Sequence, residues 1–303
     1  MNSNQAIGLA FGLAAALIGG GWQVATRLST TTTIPASDLV ALRYGIPALL
    51  LLPIAWRRGL LPRAVPRRLL ALMLCGAGLP FGLLAMGGSR FAPSSHMGVL
   101  MAGAAPLIAA GLAWALWRER PDRHRSAGLA LLAAGVLTLC SASLADWAAD
   151  SWRGDLMFLL AATLWAGYTL AFRRSGLGAW HVAALINLWS ALALLPWLLL
   201  RGTPLFADAP LSDIAWQGLW QGLLAGVLGL WTYSVAITRL GAPSAAAFGA
   251  LAPVVSAVGG WWWIGDRLSV VDLVAIGCAV AGVLLAAGVV APKRPQVWTT
   301  VND

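Results

Sequence analysis

Arg239–Leu240–Gly241–Ala242–Pro243–Ser244 opens an apolar segment that is long enough to form one membrane-spanning helix. Pro253 interrupts this segment, and Gly265–Asp266–Arg267–Leu268 closes it. A hydrocarbon core needs about 20 apolar residues per helix. A proline inside a helix removes a backbone hydrogen bond and favours a kink. The segment therefore predicts a kinked helix that crosses a membrane and ends at an acidic–basic pair.

A shifted copy of this segment lies in the first half of the chain. It opens with Arg90–Phe91–Ala92–Pro93–Ser94, contains Pro106 and closes at Glu119. Pro106 precedes Glu119 by as many residues as Pro253 precedes Asp266. The chain is therefore an internal duplication. Further aligned pairs are Trp22 with Tyr168, Tyr44 with Asn187, Pro53 with Pro196, and Gly135 with Gly282.

The composition is that of a membrane protein. Of the 303 residues, 59% are hydrophobic and 10% are charged, whereas soluble domains carry about 25% charged residues. The net charge of +9 is explained by basic residues in short loops, and no basic patch indicates a nucleic-acid partner. Cys75, Cys140 and Cys278 lie in separate apolar runs. We therefore expect no metal, no cofactor and no nucleic acid.

We predict an all-α polytopic membrane protein with ten transmembrane helices in two five-helix repeats. Because five is odd, the second repeat enters the membrane from the opposite side, so the repeats are inverted. The predicted units are 1–145, 146–290 and a cytoplasmic tail, 291–303. The spans lie at about 5–27, 36–57, 68–89, 94–117, 126–144, 154–173, 179–200, 215–238, 243–264 and 270–290.

Basic residues predict the orientation. Most of the 20 Lys and Arg residues lie at one set of helix ends, which the positive-inside rule assigns to the cytoplasm. Both termini are then cytoplasmic, and we expect a multi-pass protein of the bacterial inner membrane. The first apolar run has no basic segment before it and no convincing cleavage site after it, so we expect it to remain as a helix.

The two copies, taken together, resemble the signature of the drug/metabolite transporter superfamily, in its ten-helix EamA branch. The resemblance covers about 5–290. It implies two inverted halves, export of metabolites, and a central cavity lined mainly by helices 1, 3, 4, 6, 8 and 9. The Trp-rich composition and an absence of buried acid look most like the bacterial aromatic amino acid exporters.

The positions of the acidic residues bear on the substrate. All 11 fall at predicted helix ends, in loops or in the tail, and we expect none at the bilayer centre, where an ionisable group marks function. This pattern disfavours lipophilic cations and carboxylate-driven proton exchange. It favours neutral or zwitterionic substrates. Glu119 and Asp266 are expected to serve as caps or ion pairs.

Aromatic and amide side chains are the first candidates for substrate binding. Trp22 and Gln23 follow the glycines of the first helix, and Trp165 and Tyr168 share one face of the sixth helix because they are three residues apart. Aromatic rings from both halves would suit a planar apolar side chain. Ordinary packing is the alternative for each residue. The symmetry mates Tyr44 and Asn187 are further candidate polar groups of the cavity.

His96 and Ser244 lie in the first turns of helices 4 and 9. His96 could bind a carboxylate or carry a proton, or it could be a structural hydrogen-bonding residue. Ser244 could cap its helix, or its turn could receive a substrate carboxylate. Arg43 is expected to reach the outer surface. The expected hinge residues are Pro80, Pro106 and Pro253.

We therefore predict a monomeric carrier that exports small metabolites, most of all aromatic or other apolar amino acids, by rocking of its two halves within membrane lipid. A lipid or nucleotide-sugar carrier of the same superfamily is one alternative, although phosphates would require more buried cations than Arg43. A non-transporting scaffold is another. An enzyme is disfavoured because the sequence has no HExxH motif, no Gly-x-Ser-x-Gly motif and no paired intramembrane Asp.

Overall fold

The computed structural model describes residues 3–118, 120–201, 205–240 and 248–287. These residues form ten helices, three of which are divided into segments, and a short 3-10 helix (Trp147–Ala149), and they contain no strand. The helices are α1 (Ser3–Thr31), α2 (Ala36–Arg58), α3 in two segments (Arg67–Ala77 and Leu79–Gly88), α4 (Ser94–Trp117), α5 (Arg123–Ala145), α6 (Ser151–Ser175), α7 (Ala179–Leu200), α8 in three segments (Leu211–Gln217, the π-helix Gly218–Leu228, and Gly229–Leu240), α9 (Leu251–Gly259, continued by the π-helix Gly260–Ile264) and α10 (Val270–Ala286).

Length and apolarity make this bundle a membrane protein. Within the described ranges, the seven helical spans from α1 to α7 are each long and apolar enough to cross a membrane. Two shorter apolar helices follow at Leu251–Ile264 and Val270–Ala286. These findings confirm the predicted fold class, an all-α polytopic membrane protein. Ser244, the start of the predicted ninth span and the tail 291–303 lie outside the described residues.

The helix contacts form a pattern that is preserved when the first half of the chain is interchanged with the second. Helix α1 of the first half packs on α8 and α9 of the second half. Its counterpart α6 of the second half packs on α3 and α4 of the first half. Each of the pairs α2–α7, α4–α9 and α5–α10 consists of a helix and its counterpart, and the members of each pair touch. A two-fold relation brings about such self-paired contacts, because a helix near the axis lies against its own image.

Glycines permit the closest of these contacts. A Cβ atom added to Gly128 of α5 would lie 2.4 Å from the Ala286 nitrogen and 2.6 Å from the Gly282 oxygen of α10. Backbones that approach so closely gain van der Waals contact, which drives helix association in a membrane. The small residues of α1 act in the same way, since Gly12 packs on Phe248 and Gly20 on Val255.

Helix α3 breaks at Gly78, two residues before Pro80. The freed backbone groups find partners on neighbouring helices. The Tyr44 hydroxyl of α2 donates to the Gly78 oxygen at 2.5 Å, and the Leu79 nitrogen donates to the Ser190 hydroxyl of α7 at 3.0 Å. A membrane tolerates a broken helix where the protein satisfies its backbone. Pro80 therefore begins a new helix segment and does not kink a continuous one.

One end of the bundle carries buried ion pairs between helices. We call it the charged end: α1, α7 and α9 end there, and α2, α4, α6 and α10 begin there. Arg201 contacts Asp38 at 2.5 Å, and Arg27 contacts Asp266 at 3.6 Å. The carboxylate of Asp266 also accepts the Ser94 hydroxyl and backbone N–H, each at 3.2 Å.

The expected absence of buried acid is wrong. Asp38 is 2% exposed, Asp155 is 3% exposed and Asp272 is 5% exposed. Asp38 and Asp272 lie in the first turns of their helices, and Asp155 is the fifth residue of α6. Their burial depends on neighbours from distant parts of the chain, Arg201 for Asp38 and His96 for the other two. The position of an acid along its own helix does not reveal such partners.

Replacement of Gly128 by Ala tests the packing of α5 on α10. The added methyl group meets backbone atoms that cannot rotate away, so we expect the free energy of unfolding to fall by about 1–3 kcal/mol. Gly277→Ala is the matched control, because a Cβ atom at Gly277 has no neighbour within 4 Å. Unfolding in mixed detergent micelles measures both changes. Equal stability of the two variants would contradict the close approach.

Candidate functional site

A cavity of about 380 Å³ lies between the two halves of the bundle. The first half contributes residues of α1, α2, α3 and α4 to its wall, and the second half contributes residues of α6, α7, α8 and α9 together with Phe248 and Gly249. Among the described residues, α5 and α10 contribute none. The volume is in the range of small-molecule sites, about 300–1,000 Å³. Helices α2 and α7 also line the cavity, in addition to the six helices that were expected from the sequence.

Aromatic rings from both halves form one face of the cavity. Phe81 of α3 links Trp22 of α1 to Trp165 of α6, with ring centroids 6.5 Å and 5.2 Å apart. Trp165 contacts Tyr168 at 5.0 Å. These rings are buried or half-buried, and they present apolar faces and edges to a ligand. Such a surface favours a planar apolar group by stacking and by exclusion of water.

Three polar side chains of the wall have buried atoms without a hydrogen-bond partner. They are the Gln23 side-chain oxygen, the Asn187 side-chain oxygen and the Arg43 Nε. Gln23 is 6% exposed and Asn187 is 3% exposed. A buried polar atom without a partner costs about 1–3 kcal/mol. A ligand that hydrogen-bonds to these atoms would recover that free energy.

Arg43 corrects a prediction from the sequence. It does not reach out toward the surface, since it lines the cavity and packs against two aromatic rings. Its guanidinium carbon lies 5.8 Å from the centre of the Trp22 ring and 5.6 Å from that of Tyr44. An arginine over aromatic faces gains a cation–π attraction and keeps its N–H groups free for a planar anion.

A buried network of amides supports the cavity from behind. The Trp22 ring N–H donates to the Gln221 side-chain oxygen at 2.5 Å. Gln221 donates in turn to Thr26 at 3.0 Å and to the Gln217 side-chain oxygen at 3.1 Å. Gln217 donates to the Ala25 carbonyl at 2.8 Å. The network orients Trp22 and joins α1 of one half to α8 of the other.

The π-helical part of α8 holds this network. Gln221 lies in the π-helix Gly218–Leu228, and Gln217 immediately precedes it. A π-helix has a wider turn and is often found where a helix serves function. Its small residues also let α2 approach, because a Cβ atom at Gly222 would lie 2.7 Å from Ile46.

The structure brings together five of the eight predicted binding residues. Trp22, Gln23, Trp165, Tyr168 and Asn187 all line the cavity. Tyr44 does not, because its hydroxyl is used at the break of α3. His96 lies away from the described wall, and Ser244 falls outside the described residues. Pro106 lies inside the continuous helix α4, and Pro253 lies in the first turn of the described part of α9.

His96 is held between two carboxylates from the second half of the chain. Its Nδ1 lies 2.8 Å from Asp155 of α6, and its Nε2 lies 3.1 Å from Asp272 of α10. Asp272 also completes the capping box of α10, in which Ser269 is the N-cap, because one of its oxygens accepts from the Ser269 nitrogen and hydroxyl, each at 2.7 Å. His96 therefore takes part in an ion-pair cluster at the charged end.

Several residues of the site were missed or misread at the level of the sequence. Gln217 and Gln221 are two amides four residues apart in an apolar span, so they share a helix face. This spacing was a signal for a buried polar network. Phe81 and Tyr233 line the cavity, but nothing in their local sequence distinguishes them from packing residues. Only the fold brings them to the wall.

Comparison with known proteins identifies the family. The sequence profile of the EamA-like transporter family matches residues 6–141 and again residues 152–288. The chain belongs to the EamA-like transporter family. It is thus a membrane transporter of the drug/metabolite transporter superfamily. The two regions of the chain that match the profile are the two halves of the duplication. No curated protein sequence matches the chain.

A solved structure shares the fold of this transporter. It is described only as "Crystal structure of protein" and is 21% identical in sequence, with a TM-score of 0.61. The alignment covers 96% of this chain and 99% of the other. At this identity the likeness concerns the fold alone.

A double-mutant cycle tests the Trp22–Gln221 hydrogen bond. Trp22→Phe leaves the buried Gln221 oxygen without its donor, so we expect a loss of about 1–3 kcal/mol in the free energy of unfolding. In the double variant with Gln221→Leu, we expect the two losses to overlap by about 0.5 kcal/mol or more. Trp189→Phe is the control, because its ring N–H donates to the Leu60 carbonyl at an exposed site. Additive losses would contradict the bond.

Proposed function

We propose that this transporter exports small neutral or zwitterionic metabolites, above all aromatic or other apolar amino acids, by alternating access around the central cavity. The observation that carries the proposal is the combination of an aromatic face with Arg43, Gln23 and Asn187 in one cavity. An apolar ring would lie against Trp22, Phe81 and Trp165. The polar end of the substrate would meet the unpartnered atoms.

The polar atoms of the wall suit a zwitterion. Arg43 supplies N–H donors for a carboxylate, and a charge-assisted pair of this kind is stronger than a neutral hydrogen bond. The Gln23 and Asn187 oxygens are acceptors for an ammonium group. Together they offer one donor group and two acceptors, which is the complement that an amino acid requires.

The charges of the wall disfavour a simple cation. The part of the wall that the structure describes includes Arg43 but no Asp or Glu. A cation without an apposed acid would be repelled by Arg43 and would lose its hydration without compensation. The buried acids lie at the charged end, where each of them contacts a basic side chain. A neutral or zwitterionic substrate avoids this cost.

An anionic metabolite is the second candidate, and the position of Arg43 favours it. A phosphate or sulfate group would also pair with a guanidinium. Nucleotide sugars carry more than one phosphate charge, and the described wall offers a single basic side chain. The aromatic face favours an amino acid with a ring over a sugar phosphate.

The direction of transport and the setting are part of the proposal. The distribution of Lys and Arg supports cytoplasmic termini, which would place the charged end at the outer face of a bacterial inner membrane. The inverted halves would rock around the cavity to expose it to each side in turn. We propose a monomer in membrane lipid whose only partner is its small-molecule substrate.

The first test is entry of the twenty amino acids, one at a time, into proteoliposomes at matched internal and external pH. We expect selective entry of Trp, Phe, Tyr or other apolar amino acids, because the cavity combines an aromatic face with a carboxylate-binding arginine. Liposomes without protein are the control. If no amino acid enters while an anionic metabolite does, the second candidate replaces the first.

Arg43→Gln tests the carboxylate contact. Loss of one partner from a buried charge pair costs about 2 kcal/mol or more, so entry of tryptophan at low concentration should fall by about 30-fold or more. Entry of tryptophanamide, which lacks the carboxylate, should not fall. Arg57→Gln is the matched control, because Arg57 is an exposed arginine of the same helix. Equal losses for both compounds would argue against the contact.

A further inference from the structure

We propose that His96, Asp155 and Asp272 form a proton-binding site whose occupancy controls the opening of the charged end. The site lies outside the substrate cavity, and the proposal rests on membership of a transporter family and not on the identity of the substrate. It concerns a cluster of three buried ionisable side chains inside an apolar bundle. Burial of charged groups is costly, so a buried cluster of three ionisable side chains is a candidate for function.

The carboxylates on both sides of the ring favour a protonated His96 in this conformation. Each ring nitrogen of His96 faces a carboxylate oxygen, at 2.8 Å from Asp155 and 3.1 Å from Asp272. A neutral imidazole has one donor and one lone pair, so one carboxylate would face a lone pair. An imidazolium donates a hydrogen bond to Asp155 and places a positive charge beside both carboxylates. The cluster then holds one positive and two negative charges, a formal sum of one negative charge.

This formal negative charge makes the cluster a proton acceptor. The second oxygen of Asp155 is buried and has no hydrogen-bond partner, and the Asp272 oxygen that faces His96 has an ion-pair contact but no hydrogen bond. A proton taken from water at the charged end would form an O–H bond on this carboxylate and bring the formal charge of the cluster to zero. The ion pair between Asp155 and His96 would then become a neutral contact, while the pair between His96 and Asp272 would remain. Uptake of the proton weakens the link between α4 and α6.

The other charged and titratable groups near α4 do not neutralise the negative charge of the cluster. From α1 and the end of α9, Arg27 and Asp266 pair with each other at 3.6 Å. From α5, the thiol of Cys140 lies near Asp155. From the start of α6, Arg153 pairs with Asp150 at 3.3 Å in an exposed position. None of these groups supplies the positive charge that would balance the second carboxylate.

The cluster links the two halves at one end only. His96 belongs to the first repeat, and Asp155 and Asp272 belong to the second. Their counterparts in the duplication are Ala246, Leu9 and Arg125 in turn, which offer no equivalent acid–base set. The duplication of the sequence does not require the cluster, so it distinguishes the charged end from the opposite end of the bundle.

The cluster is also close to the cavity along α4. Gly98 follows His96 by two residues, and a Cβ atom at Gly98 would lie 3.1 Å from the Gln23 side-chain oxygen. Gln23 lines the cavity. A shift of the first turns of α4, once its link to α6 weakens, would therefore move the wall at Gln23. Proton uptake and access to the cavity are in this way mechanically connected.

The test measures a distance across the charged end and needs no substrate. Spin labels are attached at Arg90→Cys, just before α4, and Ala148→Cys, just before α6, both exposed positions, after the three native cysteines are replaced by alanine. Pulsed electron paramagnetic resonance then compares about pH 7.5 with about pH 5.5. One linked proton changes the ratio of open to closed molecules by up to about tenfold per pH unit. We expect a longer-distance population that grows at the lower pH.

Variants separate the cluster from other acids. Asp155→Asn resembles the protonated carboxyl group, so it should show the longer distance already at the higher pH. His96→Gln should abolish the pH response. Asp150→Asn is the matched control, an exposed acid at the same end whose change should leave the response intact. A parent protein with the same distances at both pH values would overturn the proposal, whether or not any variant folds.

The result is independent of the substrate assay. A pH-dependent distance together with no entry of any amino acid would support the proton site and reject the proposed substrate class. Entry of amino acids together with a pH-independent distance would do the opposite. An unchanged distance in a folded Asp155→Asn protein, with the pH response of the parent, would also reject the role of this carboxylate.

Discussion

Hydrocarbon offers no hydrogen bonds, and the structure of this transporter depends on that constraint. Every backbone group that leaves a regular helix must find a partner inside the protein. The break of α3 at Gly78 is possible because Tyr44 and Ser190 supply those partners from α2 and α7. The Trp22 ring N–H meets Gln221 for the same reason. Polar side chains thus determine which helices must be neighbours.

Because hydrocarbon offers no hydrogen bonds, the polar atoms that remain without partners are informative. Around the cavity these atoms belong to Gln23, Arg43 and Asn187. The backbone groups freed at the break of α3 find hydrogen-bond partners on two neighbouring helices. Three polar groups without partners in one cavity therefore indicate a place for a polar ligand. The aromatic rings beside them supply the apolar part of the same site. Helix packing and the cavity wall are in this way separated, since α5 and α10 pack on each other through glycine while the described wall comes from the other helices.

The charged end is organised differently from the cavity. Its buried carboxylates all meet a basic group, Arg27, Arg201 or His96. Each of these pairs joins a segment of one repeat to a segment of the other. Breaking a buried pair leaves a charge without compensation and costs about 3–5 kcal/mol. The ion pairs therefore hold the two repeats together at this end, and a change in charge there is a direct way to alter the contact between them.

Periodicity and duplication in the sequence were sufficient for the fold. Two copies with equal spacing between Pro106 and Glu119 and between Pro253 and Asp266 predicted a repeated membrane bundle, because apolar length and repeat are local properties of a chain. Symmetry between Trp22 and Tyr168 also predicted two residues of the cavity wall. These inferences needed no knowledge of which helices touch.

The partners of the polar residues were decided only in three dimensions. Arg43 was expected to reach the surface, but it packs on Trp22 and Tyr44 in the cavity. His96 stands alone in its own helix, and it meets Asp155 and Asp272 only when α6 and α10 fold against α4. The sequence by itself determined the class of the protein, its helices and its duplication. The tertiary structure decided what each buried charge contacts, because an ion pair or hydrogen bond joins residues that are far apart in the chain and carry no local pattern.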